Sequence, residues 1–146
     1  MRIARDGSWR YLGTPIPRPA LVRLFAGILR RDPDGYCLVT PAEKQRIRVD
    51  DAPFVAVELR ANGSGTGARL SFRTNVDDVV VADAEHPIRV VVDAATGEPS
   101  PYVLVRRGLE ELIARPVFYE LVDLAVERDG VLGVWSSGIF FPIGAA

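Results

Sequence analysis

The chain is poor in the residues that build reactive centres. Its 146 residues include one cysteine, one histidine, one methionine and one lysine, Lys44. A single cysteine excludes an intramolecular disulfide and a cysteine metal cluster, and with one histidine no zinc cluster can be assembled within the chain. Cys37 lies in the apolar run Tyr36-Cys37-Leu38-Val39, where a buried inert thiol is expected. Charge of one sign is lacking too. The formal net charge is −1, so no global field recruits phosphate backbones and strong nucleic-acid binding is not expected. No apolar run approaches the ~20 residues of a membrane span. Met1-Arg2-Ile3-Ala4-Arg5-Asp6 has no apolar core of signal-peptide length, and a cytoplasmic location is therefore expected.

What is present is a globular balance, 48% hydrophobic and 25% charged, which disfavours disorder. It also carries a repeat. Arg18-Pro19 opens an amphipathic helical pattern that closes at Arg31-Asp32, and Arg115-Pro116 opens a second that closes at Arg128-Asp129, 97 positions later. Leu21, Leu24, Phe25, Ile28 and Leu29 form an i, i+3, i+4, i+7, i+8 stripe, and Phe118, Leu121, Val122, Ala125 and Val126 occupy the same positions in the second copy. A hairpin pattern precedes each helix, and an Asp-Gly with an apolar strand pattern follows each (Asp34-Gly35, Asp129-Gly130). Matching ends, stripes and flanks predict an internal duplication.

Between the helices the sequence reads as strands: Tyr36–Thr40, Arg46–Val49, Phe54–Arg60, Arg69–Thr74, Val79–Ala82, Ile88–Asp93 and Tyr102–Val105. Asp6-Gly7-Ser8 joins an N-terminal hairpin, and Ser136-Ser137-Gly138 a C-terminal one. Asn62–Gly67 is a hairpin tip or lobe boundary, and Gly108–Ala114 reads as one or two helical turns. Without regular βαβ alternation the fold class is α+β: two structurally repeated lobes, residues 1–60 and 61–146, each a mostly antiparallel sheet carrying one amphipathic helix.

No segment spells out a reaction. Gly133-Val134-Trp135-Ser136-Ser137-Gly138 lacks the spacing of a serine elbow, and His86-Pro87 in an acidic loop reads as a hairpin turn. The pairs Asp50-Asp51 and Asp77-Asp78 suit turns beside strands better than a magnesium site. Gly63–Gly67 lacks the Gly-Lys-Ser/Thr ending of a phosphate loop. No cofactor or metal is expected. Two features stand out. Lys44, the sole lysine, follows a strand in Thr40-Pro41-Ala42-Glu43-Lys44, and Arg18 and Arg115 stand where cations are mildly unfavourable, before helix N-termini. Each arginine would bridge a carboxylate across the lobe interface or meet an anion.

Ile3-Ala4-Arg5-Asp6-Gly7, Tyr11-Leu12-Gly13-Thr14-Pro15-Ile16, Leu38-Val39-Thr40-Pro41 with Glu43-Lys44, Asp51-Ala52-Pro53-Phe54 and Gly133-Val134-Trp135-Ser136 form a spaced set. Glu98-Pro99, Pro101-Tyr102 and Arg115-Pro116-Val117-Phe118-Tyr119 complete it. With these motifs the chain resembles the bacterial domain-of-unknown-function family 1285, along nearly its whole length. The resemblance implies a duplicated α+β fold with a pleckstrin-homology-like C-terminal lobe, a ligand site on the inter-domain surface and a role in signalling, with no established activity. Family members carry residues ahead of the segment matching Met1, and this chain is expected to lack that extension.

The first expectation is a non-enzymatic, signalling-type module holding a small anionic or nucleotide-like ligand between its lobes. Arg18, Glu43, Lys44, Arg106, Arg115 and Trp135 are expected to line that groove, the arginines for charge and the indole for shape. The alternative is a protein-interaction adaptor or homodimer without a small-molecule ligand, pairing through exposed strand edges. A hydrolase using Glu43 or an acidic pair as base is the weakest reading; the sequence leans away from an enzyme and does not fix the oligomeric state.

Overall fold

The computed structural model describes residues 1–146 and contains two α-helices and sixteen strands in four sheets. In the N-terminal half, β1 (Arg2–Ile3) and β2 (Trp9–Tyr11) form the hairpin signalled by Asp6-Gly7-Ser8. β3 (Thr14–Pro15) and β7 (Arg48–Val49) extend that sheet on either side, β7 running parallel to β1. Between them come α1 (Pro19–Gly27) and an antiparallel meander of β4 (Leu29–Asp32), β5 (Gly35–Val39) and β6 (Lys44–Arg46).

The C-terminal half is organised by a six-stranded sheet. Its strands are β8 (Phe54–Asn62), β9 (Arg69–Thr74), β10 (Val79–Val81), β11 (Ile88–Val92), β12 (Pro99–Arg106) and β13 (Leu109–Ile113), in the spatial order β10-β9-β8-β13-β12-β11. All neighbours are antiparallel except β8 and β13. The expected division after residue 60 falls within β8, and Asn62–Gly67 is the tip of the β8–β9 hairpin. α2 (Arg115–Asp123) then leads into a second meander of β14 (Val126–Arg128), β15 (Val131–Ser136) and β16 (Ile139–Ala145). The architecture is α+β with several antiparallel sheets.

Three sequence expectations need correction. Both helices stop earlier than their apolar period suggests, at Gly27 and Asp123. Their final turns are instead β4 and β14, each folded back on the next strand at its Asp-Gly turn. A full ladder of strand hydrogen bonds replaces one fraying helical turn, and it buries Leu29. Nor does the five-position stripe coincide with the buried face. Leu29 and Leu121 of the stripe are buried, but Leu24 is 62% exposed and Val122 and Val126 also face solvent, whereas Ala26 and Val117, outside the stripe, are buried. Finally, Gly108–Ala114 is not helical. Arg107 and Gly108 turn the chain at positive φ, and residues 109–113 run as β13. Its buried face reads Leu109, Glu111, Ile113, and the glutamate in the middle hides the two-residue period.

Two hydrophobic clusters share one face of the six-stranded sheet. One gathers Ile3, Trp9, Ala26, Leu29, Leu38 and Ile47 of the N-terminal half onto Phe54, Val76, Val105 and Leu109. The other packs Val117 and Leu121 of α2 and Val134, Phe141 and Ile143 of the meander onto Ala56, Leu70, Phe72, Val103 and Ile113. Phe54 and Ala56, Val103 and Val105, and Leu109 and Ile113 are spaced by even numbers on their strands, so each pair points to the same side. Ser136 fastens the C-terminal meander to the sheet. Its buried hydroxyl donates to the Ala82 carbonyl at 2.7 Å and accepts from the Leu70 N–H at 2.9 Å. Polar ties hold the N-terminal half: Asn75 Nδ2 donates to the Gly7 carbonyl at 3.0 Å, and Arg106 Nη2 to the Ala26 carbonyl at 2.7 Å.

Candidate functional site

Where β12 begins and β13 ends, the two halves border a cleft of about 300 Å³. Leu112 and Ile113 lead into α2, whose N-cap, Ala114, is anchored by its N–H to the Ala56 carbonyl at 3.1 Å. Pro116 suits this first turn because its missing N–H costs no helical bond. No side chain caps the helix, so its N-terminal dipole faces the cleft uncompensated. Phe118 and Tyr119 form one wall, and Pro99, Ser100 and Pro101 at the start of β12 form another.

Charge enters from both halves. Arg115, the first residue of α2, pairs with Glu98 in the β11–β12 turn. The Asp93 carboxylate shapes that turn by accepting from the N–H groups of Ala95 and Thr96 at 2.8 and 3.0 Å. The Glu98 carboxylate, and Tyr119 beyond it, raise the Arg115 guanidinium's affinity for its proton. Arg5 comes from the β1–β2 connection and lies 3.7 Å from Asp51. Asp51 also accepts from the Tyr102 hydroxyl at 2.7 Å; burial, and then this acidic partner, push the Tyr102 phenol up to about 12. Arg89 lies over the Tyr102 ring at 4.6 Å while its guanidinium forks onto Glu110 at 2.7 and 2.8 Å. Two guanidinium groups, a helix N-terminus and an aromatic wall can hold and orient an anion with an apolar body.

Of the six residues expected to line a groove, Arg115 alone lines this cleft. Arg18 is the exposed N-cap of α1 and makes no ion pair, unlike Arg115 at the start of α2. Glu43 closes the turn before β6, its N–H donating to Thr40 Oγ1 at 3.1 Å. Lys44 pairs with Asp32 across the N-terminal meander, and Arg46 reaches the same carboxylate at 2.9 Å; the two cations hold Asp32 far below the usual carboxylate range. Arg106 ends α1 by binding the Ala26 carbonyl and lies 5.6 Å from the Phe54 ring. Trp135 packs edge-on to Phe140 at 5.4 Å, with Arg128 across both rings, beside a cavity of about 160 Å³ at the β8–β9 tip.

Three carboxylates of the acidic pairs are engaged in ion pairs and hydrogen bonds. Asp50 takes the guanidinium fork of Arg2, Asp51 takes Tyr102, and Asp77 takes Arg73 at 3.0 Å. No three His, Cys, Asp or Glu side chains are grouped so as to hold a metal ion. His86 Nδ1 lies 2.9 Å from Asp83 within the turn before β11. The candidate-site groups that sequence reasoning missed are Arg5, Phe118 and Tyr119 in the cleft, with Asp51 and Tyr102 next to Arg5. A signal existed: all five stand in motifs that carry the family resemblance. Periodicity and charge counting gave no reason to bring those motifs together.

Comparison with known proteins bears on the whole chain. A model described as "Domain of unknown function (DUF1285), N-terminal domain" matches residues 1–52, and one described as "Protein of unknown function (DUF1285), C-terminal domain" matches residues 53–143. The fold is similar to the crystal structure, at 2.50 Å resolution, of a DUF1285 family protein from Silicibacter pomeroyi DSS-3. That match has a TM-score of 0.95 and 58% identity, and covers 100% of this chain and 80% of the other. It is also similar to a DUF1285 family protein from Shewanella baltica OS155 at 1.40 Å resolution, with a TM-score of 0.64 and 30% identity over 84% of this chain and 89% of the other. No curated protein matches the chain. No helix is long and apolar enough to cross a membrane.

Proposed function

The chain belongs to the DUF1285 family, and we propose that it is a non-enzymatic, signalling-type binding module that holds a small anionic or nucleotide-like molecule in the cleft between its two halves. The observation that carries this reading is the pairing of Arg5 from the N-terminal half with Arg115 from the C-terminal half around one cleft with an aromatic wall. Glu98 is the present partner of Arg115, and both side chains are more than half exposed. Such a pair contributes at most about 1 kcal/mol, so a ligand carboxylate or phosphate displaces Glu98 at little cost. Phe118, Tyr119 and the two prolines then contact the apolar part of the ligand. The reading extends to architecture: helix and meander form a repeated unit. In support of this, Pro19 and Arg115 open nine-residue helices 96 positions apart, each leading into a three-stranded meander.

The test is a thermal-shift screen against nucleotides, cyclic dinucleotides and phosphorylated metabolites. A ligand present at about 100 times its dissociation constant adds about 2.7 kcal/mol, a shift of several degrees. Arg115→Ala and Arg5→Ala abolish the shift while leaving the unliganded melting temperature within about a degree of wild type. A shift that survives both substitutions, or a screen without any shift, refutes the reading. A second reading, a protein adaptor or homodimer, is favoured by one observation. Met1, Tyr11, Ile16, Leu21 and Phe25 line an apolar groove of about 440 Å³ beside the edge strand β3. Mass that rises with protein concentration distinguishes it.

A further inference from the structure

β13 places Leu109, Glu111 and Ile113 on the buried face of the six-stranded sheet. Leu109 belongs to the N-terminal core and Ile113 to the C-terminal core; Glu111 lies between them. Across the sheet it is level with Phe54 on β8 and Val103 on β12, with Ile88 on β11 beyond. Phe54 is in the N-terminal cluster, and Val103 and Ile88 are in the C-terminal one. The glutamate therefore sits in the row where the two cores meet. It is wholly shielded from solvent, and neither carboxyl oxygen has a hydrogen-bond partner.

No counter-charge reaches it. From β12, Arg106 is committed to the Ala26 carbonyl and the Phe54 ring. From β8, Glu58 is paired with Arg60 and Arg73. In the β9–β10 turn, Asp77 is held by Arg73 and by Arg23 of α1, and the neighbouring Asp78 opposes ionisation of Glu111. An unpaired carboxylate in this position is prohibitively costly, so the group keeps its proton. Burial first, and Asp78 second, raise the Glu111 carboxyl to about 8.

We propose that Glu111 is a pH-sensitive latch between the two halves: as a neutral acid it lets both cores close on the shared sheet face, and once ionised it draws water into the seam and loosens the N-terminal half. The proton passes to the bulk buffer. Ionisation has to bring water to the carboxylate. The seam is where the apolar packing changes from one cluster to the other, so the opening falls there. The native carboxyl stays protonated over a pH range in which the unfolded glutamate, at its ordinary 4.5, has lost its proton. Stability from this group is therefore complete below about pH 4.5, falls as pH rises to about 8, and is level above that.

The experiment compares wild type with E111Q from about pH 5 to about pH 9, using urea unfolding and acrylamide quenching of Trp9 in a W135F background. Relative to E111Q, the wild-type folding constant falls about tenfold per pH unit, on the order of a thousandfold in all, and Trp9 quenching rises through a one-proton step. E111Q removes that step, and D78N moves its midpoint down. Infrared spectroscopy on the unmodified protein decides independently of how the variants fold: the band of a protonated carboxylic acid, present near about pH 6, disappears by about pH 9. Parallel pH profiles for wild type and E111Q, or no protonated-acid band near about pH 6, overturn the proposal.

Discussion

Replacing Gly7 by alanine isolates the contact that seats the N-terminal hairpin. Gly7 has φ +88, and a Cβ there would lie 2.7 Å from Asn75 Nδ2 and 2.9 Å from Val55 Cγ2. Asn75 is the rivet: it donates to the Gly7 carbonyl at 3.0 Å and accepts from the Val55 N–H at 3.0 Å, in a partly buried position. Placing an L-residue at positive φ costs about 1–2 kcal/mol. Pushing Asn75 aside leaves partly buried polar groups unpaired, at about 1–3 kcal/mol more. Gly7→Ala therefore destabilises by about 2–5 kcal/mol. Gly13 supplies the control, because it has φ +81 but no atom within 4 Å of its added Cβ. Gly13→Ala carries the conformational cost alone, about 1–2 kcal/mol. Urea unfolding of both variants, with the denaturant slope unchanged, reads the difference directly. If the two agree within about 0.5 kcal/mol, the reasoning about Asn75 is wrong.

Two further outcomes follow from single positions. Leu121 is wholly buried in α2 against the C-terminal core, so Leu121→Ala lowers stability by about 2–5 kcal/mol in the same unfolding assay. Tyr102, raised to about 12, gives a late transition in an ultraviolet pH titration, and Asp51→Asn brings that transition down. An unfolded tyrosine ionises near 10, so the stability linked to Tyr102 is intact below pH 10 and lost as pH rises toward 12; Tyr102→Phe flattens that limb.

Local signals read well where the chain makes its own decisions. Asp6-Gly7-Ser8, Asp34-Gly35 and Asp129-Gly130 specify hairpins through residues that accept positive φ, and each turn joins the strands that flank it. The α+β class, the two helices and the strand-rich middle were legible on the same grounds. Periodicity misled where two structures share a pattern. Ile28-Leu29 and Ala125-Val126 extend a helical period, but pairing with β5 and β15 claims Leu29 and Val126 for strands. β13 was illegible because Glu111 interrupts the apolar alternation, a buried acid being the residue that pattern reading treats as surface. The cleft was the least legible. Arg5 lies more than 90 residues from Glu98 and Arg115 and borders the same cleft only because the N-terminal half seats on the six-stranded sheet, whereas Arg106 and Lys44 carry attractive charge but spend it on the Ala26 carbonyl and Asp32.

The division between the two family models, at residues 52 and 53, does not separate two cores. Six residues of the N-terminal cluster, Ile3, Trp9, Ala26, Leu29, Leu38 and Ile47, precede it; Phe54, Val76, Val105 and Leu109 follow it. Residues 1–52 alone thus lack the sheet face on which their apolar side chains close, and a chain of this length has little core to spare. Expressed separately, residues 1–52 give the circular dichroism of an unfolded chain. Residues 53–146 keep the cluster built on α2 and β15, and fold with the N-terminal ends of β8 and β13 uncovered. Mixing the two restores the N-terminal signal, because the four displaced side chains are the missing floor of its core. Independent folding of residues 1–52 would mean that those four side chains are dispensable, and would make the seam at Glu111 an ordinary interface between two self-sufficient domains.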